Sequence, residues 1–200
     1  MARRIMMLLV AVAVARSAAA QPVEPPFDVS GTFVITDSGQ FNTRDVGFGG
    51  RLGWRISPVL GVEGELTYHS DPFNDAVPFS AGRVEGLFGA TIGPRLGALR
   101  PFATVRPGFV RYRAADEPIA CIAIFPPPLS CTLAAGRTLF AFDVGGGVEF
   151  SPSVRTLIRA TLSDRMVRYP GPAFDTSGEA HEDGFAGHDL RFALGAGFRF

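Results

Sequence analysis

A chain of 200 residues with 46% hydrophobic and 19% charged side chains is long enough for one ordinary domain. Its apolar content excludes intrinsic disorder, and its net charge of +0 excludes the basic pattern of a nucleic-acid binder. After the first twenty residues Arg, Glu, Asp or Gly interrupts every apolar run before it reaches the ~20 residues of a membrane-spanning helix.

Residues 1–20 read as a signal peptide. Arg3 and Arg4 precede the apolar run Ile5 to Ala15, and Ser17-Ala18-Ala19-Ala20 supplies a small-residue cleavage site before Gln21. Residues 21–26 then form a short periplasmic segment, and residues 27–200 a single domain. In an exported chain the pair Cys121 and Cys131 is expected to form a disulfide across a short loop, contributing about 2.5 to 3 kcal/mol if loop-closure entropy governs. Free thiols or half a metal site are the alternative, but no other Cys and no His lies nearby in the sequence.

From residue 27 onward apolar residues alternate with small or charged ones, which is the period of a strand. Eight segments are predicted, at Phe27 to Thr36, Arg44 to Ile56, Val59 to Ser70, Gly82 to Gly93, Pro101 to Arg113, Arg137 to Ser151, Ser153 to Tyr169 and His188 to Phe200. Connections after the second, fourth and sixth are short, and those after the first, third, fifth and seventh are longer. Tight turns at one end and long loops at the other are the asymmetry of outer-membrane barrels.

Volume decides which parity faces inward. One parity is bulky, as in Phe48, Leu52 and Trp54, or Phe140, Phe142 and Val144; the other is glycine or charge, as in Gly47, Gly49, Arg51 and Gly53. An eight-stranded barrel has an interior just wide enough to be filled by side chains, so the bulky parity faces out. Arginine facing lipid at mid-membrane would also cost about 2 to 4 kcal/mol. Arg51, Arg55, Arg155, Arg159 and Arg191 are therefore assigned to the lumen, paired with Glu63, Glu65, Glu85, Asp143 and Glu149.

Two aromatic belts are expected, Phe27, Trp54, Phe102, Phe150 and Phe200 at the periplasmic end and Tyr68, Tyr112 and Tyr169 at the outer end. The fifth segment fits less well. Keeping Val105, Pro107 and Phe109 outward also sends Arg111 and Arg113 outward, unless a bulge near Arg106-Pro107 re-phases the strand or those arginines lie above the membrane.

The last segment places Leu190, Phe192, Leu194, Ala196, Phe198 and the terminal Phe200 on alternate positions. With the signal peptide and eight strands, the chain resembles the small outer-membrane β-barrels of the outer membrane protein A and X type over about residues 27–200. The resemblance implies an eight-stranded antiparallel up-and-down transmembrane β-barrel in a bacterial outer membrane. It also implies that Phe192, Leu194, Phe198 and Phe200 form a recognition signal for the barrel-assembly machinery.

Candidate chemistry is sparse. Gly145-Gly146-Gly147 lacks the following helix and Lys-Ser/Thr of a phosphate loop. His69-Ser70-Asp71 is the candidate for lipid A-modifying catalysis, although adjacent strand residues point to opposite faces. His181-Glu182-Asp183 reads as a solvated acidic loop before it reads as a weak metal site. The expectation is a non-enzymatic barrel without cofactor, its lumen plugged by ion pairs, whose partners are outer-membrane lipid and an unidentified ligand of the long loops. A small-solute channel and a lipid A-modifying enzyme are the alternatives.

Overall fold

The computed structural model describes residues 25–70, 82–114 and 124–200. The expected signal peptide, residues 1–20, lies outside them. The elements in chain order are β1 (Phe27–Ser38), β2 (Thr43–Arg55), β3 (Leu60–His69), β4 (Arg83–Ile92), β5 (Leu99–Tyr112), helix α1 (Leu129–Ala134), β6 (Arg137–Phe150), β7 (Thr156–Tyr169), the short strands β8 (Ala173–Phe174) and β9 (Ala180–His181), and β10 (Phe185–Arg199). The eight long strands close an antiparallel barrel in the order β1-β10-β7-β6-β5-β4-β3-β2, so each pairs with its sequence neighbours and β1 meets β10 to remove the last edge.

All eight predicted segments are strands, with shifted ends. Thr156 opens β7, β10 begins at Phe185 instead of His188, and the β8–β9 hairpin and α1 lie in stretches read as loop. No bulge re-phases β5. Its pairing with β6 runs without a break from Leu99↔Phe150 to Tyr112↔Arg137, and its pairing with β4 keeps one register on either side of Pro107. Pro107 has no N–H to give, which removes a ladder bond without inserting a residue.

At the short-turn end, serines satisfy the backbone. Ser57 Oγ accepts from Leu60 N–H at 3.0 Å, and Ser153 Oγ accepts from Arg155 N–H at 3.2 Å and Thr156 N–H at 3.1 Å. The barrel closes through Phe27 and Phe200, whose backbones exchange hydrogen bonds of 3.3 and 3.0 Å and whose rings stack at 6.3 Å. Trp54 stacks on the other side of Phe27 at 6.0 Å.

Burial inverts the arrangement of a soluble protein. Phe48, Leu52, Phe88 and Phe198 are each about two-thirds exposed, while Arg83, Arg106, Arg165 and Arg191 are at most 1% exposed. A sheet with this exterior has its backbone groups paired around a closed ring and mainly apolar side chains to offer its surroundings, which suits a bilayer. Among the described residues no helix is long and apolar enough to cross a membrane.

The aromatic belts are only partly as expected. Phe27, Trp54, Phe150, Phe200 and Tyr68 face outward, but Phe102, Tyr112 and Tyr169 face the lumen and are buried. Phe102 shares the inward parity of Thr104 and Arg106, Tyr112 that of Val110, and Tyr169 that of Val167. Position near a strand end fixes height, but parity fixes the face, and in these three parity wins.

Glycine serves two purposes in this sheet. At Gly145 an added Cβ would lie 2.3 Å from Leu162 O, so neighbouring strands approach there only because the side chain is missing. At Gly50, on the outward face, the nearest atom would be Ser30 O at 3.9 Å. Gly145→Ala is expected to destabilise the barrel by about 1 to 3 kcal/mol, and Gly50→Ala to leave stability unchanged within about 0.5 kcal/mol. Urea unfolding followed by the gel shift between folded and boiled protein distinguishes the two.

Candidate functional site

Among the described residues the interior is where the fold concentrates charged side chains. Strand alternation directs the polar parity of every long strand inward, and the narrow cross-section brings those side chains into contact across the barrel as well as between neighbours. Glu63 on β3 accepts ion pairs from Arg51 at 3.2 Å, Arg106 at 3.4 Å and Arg159 at 2.8 Å. Arg106 also binds Glu65 at 3.3 Å and Asp143 at 2.6 Å, and Asp143 accepts the Ser163 hydroxyl at 2.6 Å. The Arg159 guanidinium lies 3.8 Å from the centroid of the Phe102 ring, a cation–π contact that accounts for the inward phenylalanine.

This central cluster continues in both directions. Towards the short turns, Glu149 binds Arg199 at 2.5 Å and Arg55 at 3.1 Å, and Asp28 binds Arg51. Towards the long loops, Arg191 joins Glu65 to Glu85, Arg165 joins Glu85 to Asp189, and Arg83 reaches Asp45 at 2.9 Å. His69, fully buried, sits 3.5 Å from Asp45.

Above this layer the lining turns apolar. Tyr112, Tyr169, Val110, Leu139 and Val167 line the upper lumen, and Phe41 from the β1–β2 turn with Leu129 and Leu133 from α1 cover them. Phe41 meets Tyr169 edge-on at 6.3 Å, and Phe185 stacks on Tyr169 at 5.1 Å. The barrel thus has two seals of different chemistry, an ion-pair layer through its middle and an apolar lid at the long-loop end.

Of the residues assigned to the lumen from sequence, Arg51, Arg55, Glu63, Glu65, Glu85, Asp143, Glu149, Arg159 and Arg191 are there. Arg155 is not. It shares the parity of Arg159 but precedes β7, so it lies exposed in the short turn, where its carbonyl accepts from Arg199 N–H at 2.7 Å. Arg83, Arg106, Arg165 and Asp28 belong to the network and were not assigned to it. The signal for two of them was present: Arg106 alternates with Val105 and Pro107, and Arg165 stands an even number of residues from Arg159.

Sequence neighbours proposed as chemical groups separate in space. His69 points into the lumen and Ser70 is exposed, while Asp71 lies outside the described residues. His181 turns to Asp175, 3.1 Å away, with the Glu179 carboxylate close by, instead of joining Glu182 and Asp183. Slight desolvation pushes the Asp175 carboxyl up, but hydrogen bonds from Ser177, His181 and the Glu179 backbone outweigh it and hold the group at about 2. Cys131 lies on α1 with its sulfur bonded; Cys121 lies outside the described residues.

Breaking the central cluster on one side leaves several buried guanidinium groups facing one another. Glu63→Ala is expected to destabilise the barrel by about 3 to 5 kcal/mol. Arg155→Ala, the same chemistry at an exposed site, is expected to stay within about 0.5 kcal/mol. Urea midpoints of the two variants are the measurement.

No protein-family profile matches the sequence, and no curated relative matches it. Solved structures do match the fold. Neisserial surface protein A is 12% identical with a TM-score of 0.58, covering 89% of this chain and 99% of its own. The outer membrane protein OprG of Pseudomonas aeruginosa is 13% identical with a TM-score of 0.54, covering 88% and 96%. Ail, the attachment invasion locus protein of Yersinia pestis, solved with the heparin analogue sucrose octasulfate, is 13% identical with a TM-score of 0.51, covering 89% and 100%. At these identities the likeness is one of fold, that of the small eight-stranded outer-membrane β-barrels.

Proposed function

We propose that this protein is a non-enzymatic outer-membrane barrel, closed to solutes, that contributes to envelope structure or to interactions at the cell surface through its long loops. The observation that carries the reading is the filled lumen. Glu63 bound by three arginines occupies the mid-section, and Phe41, Leu129 and Leu133 cover the exit. A channel would need a continuous wet path, and charges buried and paired across the lumen this closely leave little room for one. Its partners are outer-membrane lipid and a loop ligand of unknown identity, without cofactor or nucleic acid. The similar structures named surface protein and attachment protein are compatible with a surface role.

Two further assignments belong to this reading. The Cys121–Cys131 link is proposed to close the loop that carries α1, and the strand ending in Phe192, Leu194, Phe198 and Phe200 to be read by the barrel-assembly machinery. All four of those C-terminal residues face outward and are exposed. Deleting Phe200 is expected to lower the amount of folded barrel in cells well beyond its effect on the urea stability of purified protein. Equal cellular levels of the truncated and intact chains would contradict the signal.

The function itself is tested by planar-bilayer recording. The intact protein is expected to give no stable large conductance, and neither is Leu129→Ala/Leu133→Ala, because the ion-pair layer still closes the barrel beneath a weakened lid. A stable open channel in the intact protein would favour the porin-like alternative.

A further inference from the structure

Two strands of one wall, β5 and β7, carry arginines where the outward face calls for apolar side chains. Arg111 follows Val105 and Phe109 on the outward parity of β5, with Arg113 one residue past the strand, and Arg168 follows Leu162 on the outward parity of β7. Arg137 opens β6 between them; in register with the lumen-facing Tyr112, it has the inward parity of Leu139 and Ala141 but is exposed at the first residue of the strand. All four are exposed, and β5, β6 and β7 are consecutive in the barrel, so they line one arc of the long-loop rim. Phe109 and Phe140, paired across β5 and β6, stand exposed just below them. The arc therefore lies where the apolar wall ends.

Elsewhere on the rim, among the described residues, charged and polar groups pair with one another. Arg44 pairs with Asp37 at 2.9 Å, and His188 pairs with Asp164 at 2.9 Å. Among the described residues none of the four arc arginines pairs with a carboxylate; Arg168 donates to the backbone carbonyl of Asp183 at 2.7 Å, and the one outward acid below it on β7, Asp164, is held by His188. Arginine facing lipid is costly at mid-membrane but not at the interface, so the position is tolerable. Guanidinium forks with no carboxylate partner among the described residues still repel one another, and they match oxygens of a multiply charged phosphate bidentately.

We infer that the outer rim of β5, β6 and β7 is a docking edge for the phosphate groups of outer-leaflet lipid headgroups. Arg111 and Arg168 sit on the outward wall, Arg111 two residues above the exposed Phe109, where a headgroup lies when its acyl chains cover Phe109 and Phe140, and this favours a lipid over a soluble polyanion. The inference rests on the proposed membrane placement, with the long loops at the outer surface.

The test uses the full-length folded protein in phospholipid nanodiscs, offered bisphosphorylated lipid A or the same lipid A stripped of phosphate, with retained lipid measured by mass spectrometry. The intact protein is expected to retain the phosphorylated form more than about tenfold over the stripped form. Arg111→Gln/Arg113→Gln/Arg168→Gln loses that preference, while Arg44→Gln, which removes one rim charge from the compensated side, changes it by less than about twofold. Equal retention of the two lipids by the intact protein, or equal loss in the Arg44→Gln control, overturns the inference; the first comparison decides even if the triple variant fails to fold. Inorganic pyrophosphate displacing lipid A at equimolar concentration would reassign the edge to free phosphate, and heparin doing so would reassign it to a sulfated polysaccharide, each against the lipid headgroup. Failure of the intact protein to enter nanodiscs as a heat-modifiable barrel would count instead against the membrane placement itself.

Discussion

The structure depends on a single constraint, that many charged side chains share a space too narrow for water to solvate them. Backbone ladders hold each strand only to its neighbours. The ion pairs do something different, because several of them cross the barrel. Glu63 on β3 and Arg159 on β7 stand on opposite walls, as do Arg55 on β2 and Glu149 on β6, and each pair closes to within 3.1 Å. These contacts fix the cross-section in a way that hydrogen bonds around the circumference cannot. An unpaired charge in such a place would be severely penalised, so the network is acceptable only because nearly every member has a partner.

The same constraint shapes the exterior and the lid. With the polar parity committed to the lumen, the apolar parity has no destination but the outside, and the exposed Phe, Leu and Val residues follow from that commitment. At the long-loop end the lumen changes character. Val110, Leu139 and Val167 provide no partners for charge, and apolar residues from the β1–β2 turn and from α1 cover them. Among the described residues the rim is asymmetric in a parallel way, with side-chain pairs on the β1, β2, β7 and β10 walls and arginines without a carboxylate partner across β5 to β7.

Much of this is legible in the sequence because a period of two is a strong signal wherever a strand is long and its two faces differ. Strands β2, β3, β6 and β10 state their facing outright, and with it the lumen placement of Arg51, Glu63, Asp143 and Arg191. Misreadings cluster where parity and position along the strand compete. Phe102, Tyr112 and Tyr169 sit at heights suited to an interfacial belt, yet their faces are set by the residues two positions away. Arg155 shows the converse, since correct parity carries no meaning one residue outside the strand. The lid was not legible at all, because α1 is six residues long, too short for a helical period to register, and its partners Phe41 and Tyr169 are far apart in the chain. Arg106 was obscured by Arg111 and Arg113, which made a regular strand look out of phase; the strand is regular, and the arginines are simply outside the apolar band.

The central claim is that ion pairs spanning the lumen stabilise the barrel as coupled units. A double-mutant cycle on Glu63 and Arg159, comparing urea unfolding free energies of the intact protein, Glu63→Ala, Arg159→Ala and the double variant, measures that coupling directly. An interaction energy of about 2 kcal/mol or more is the result the account requires. Additive effects, with a coupling within about 0.3 to 0.5 kcal/mol of zero, would contradict it and leave the buried charges as passengers of a barrel held together by its backbone and its apolar wall.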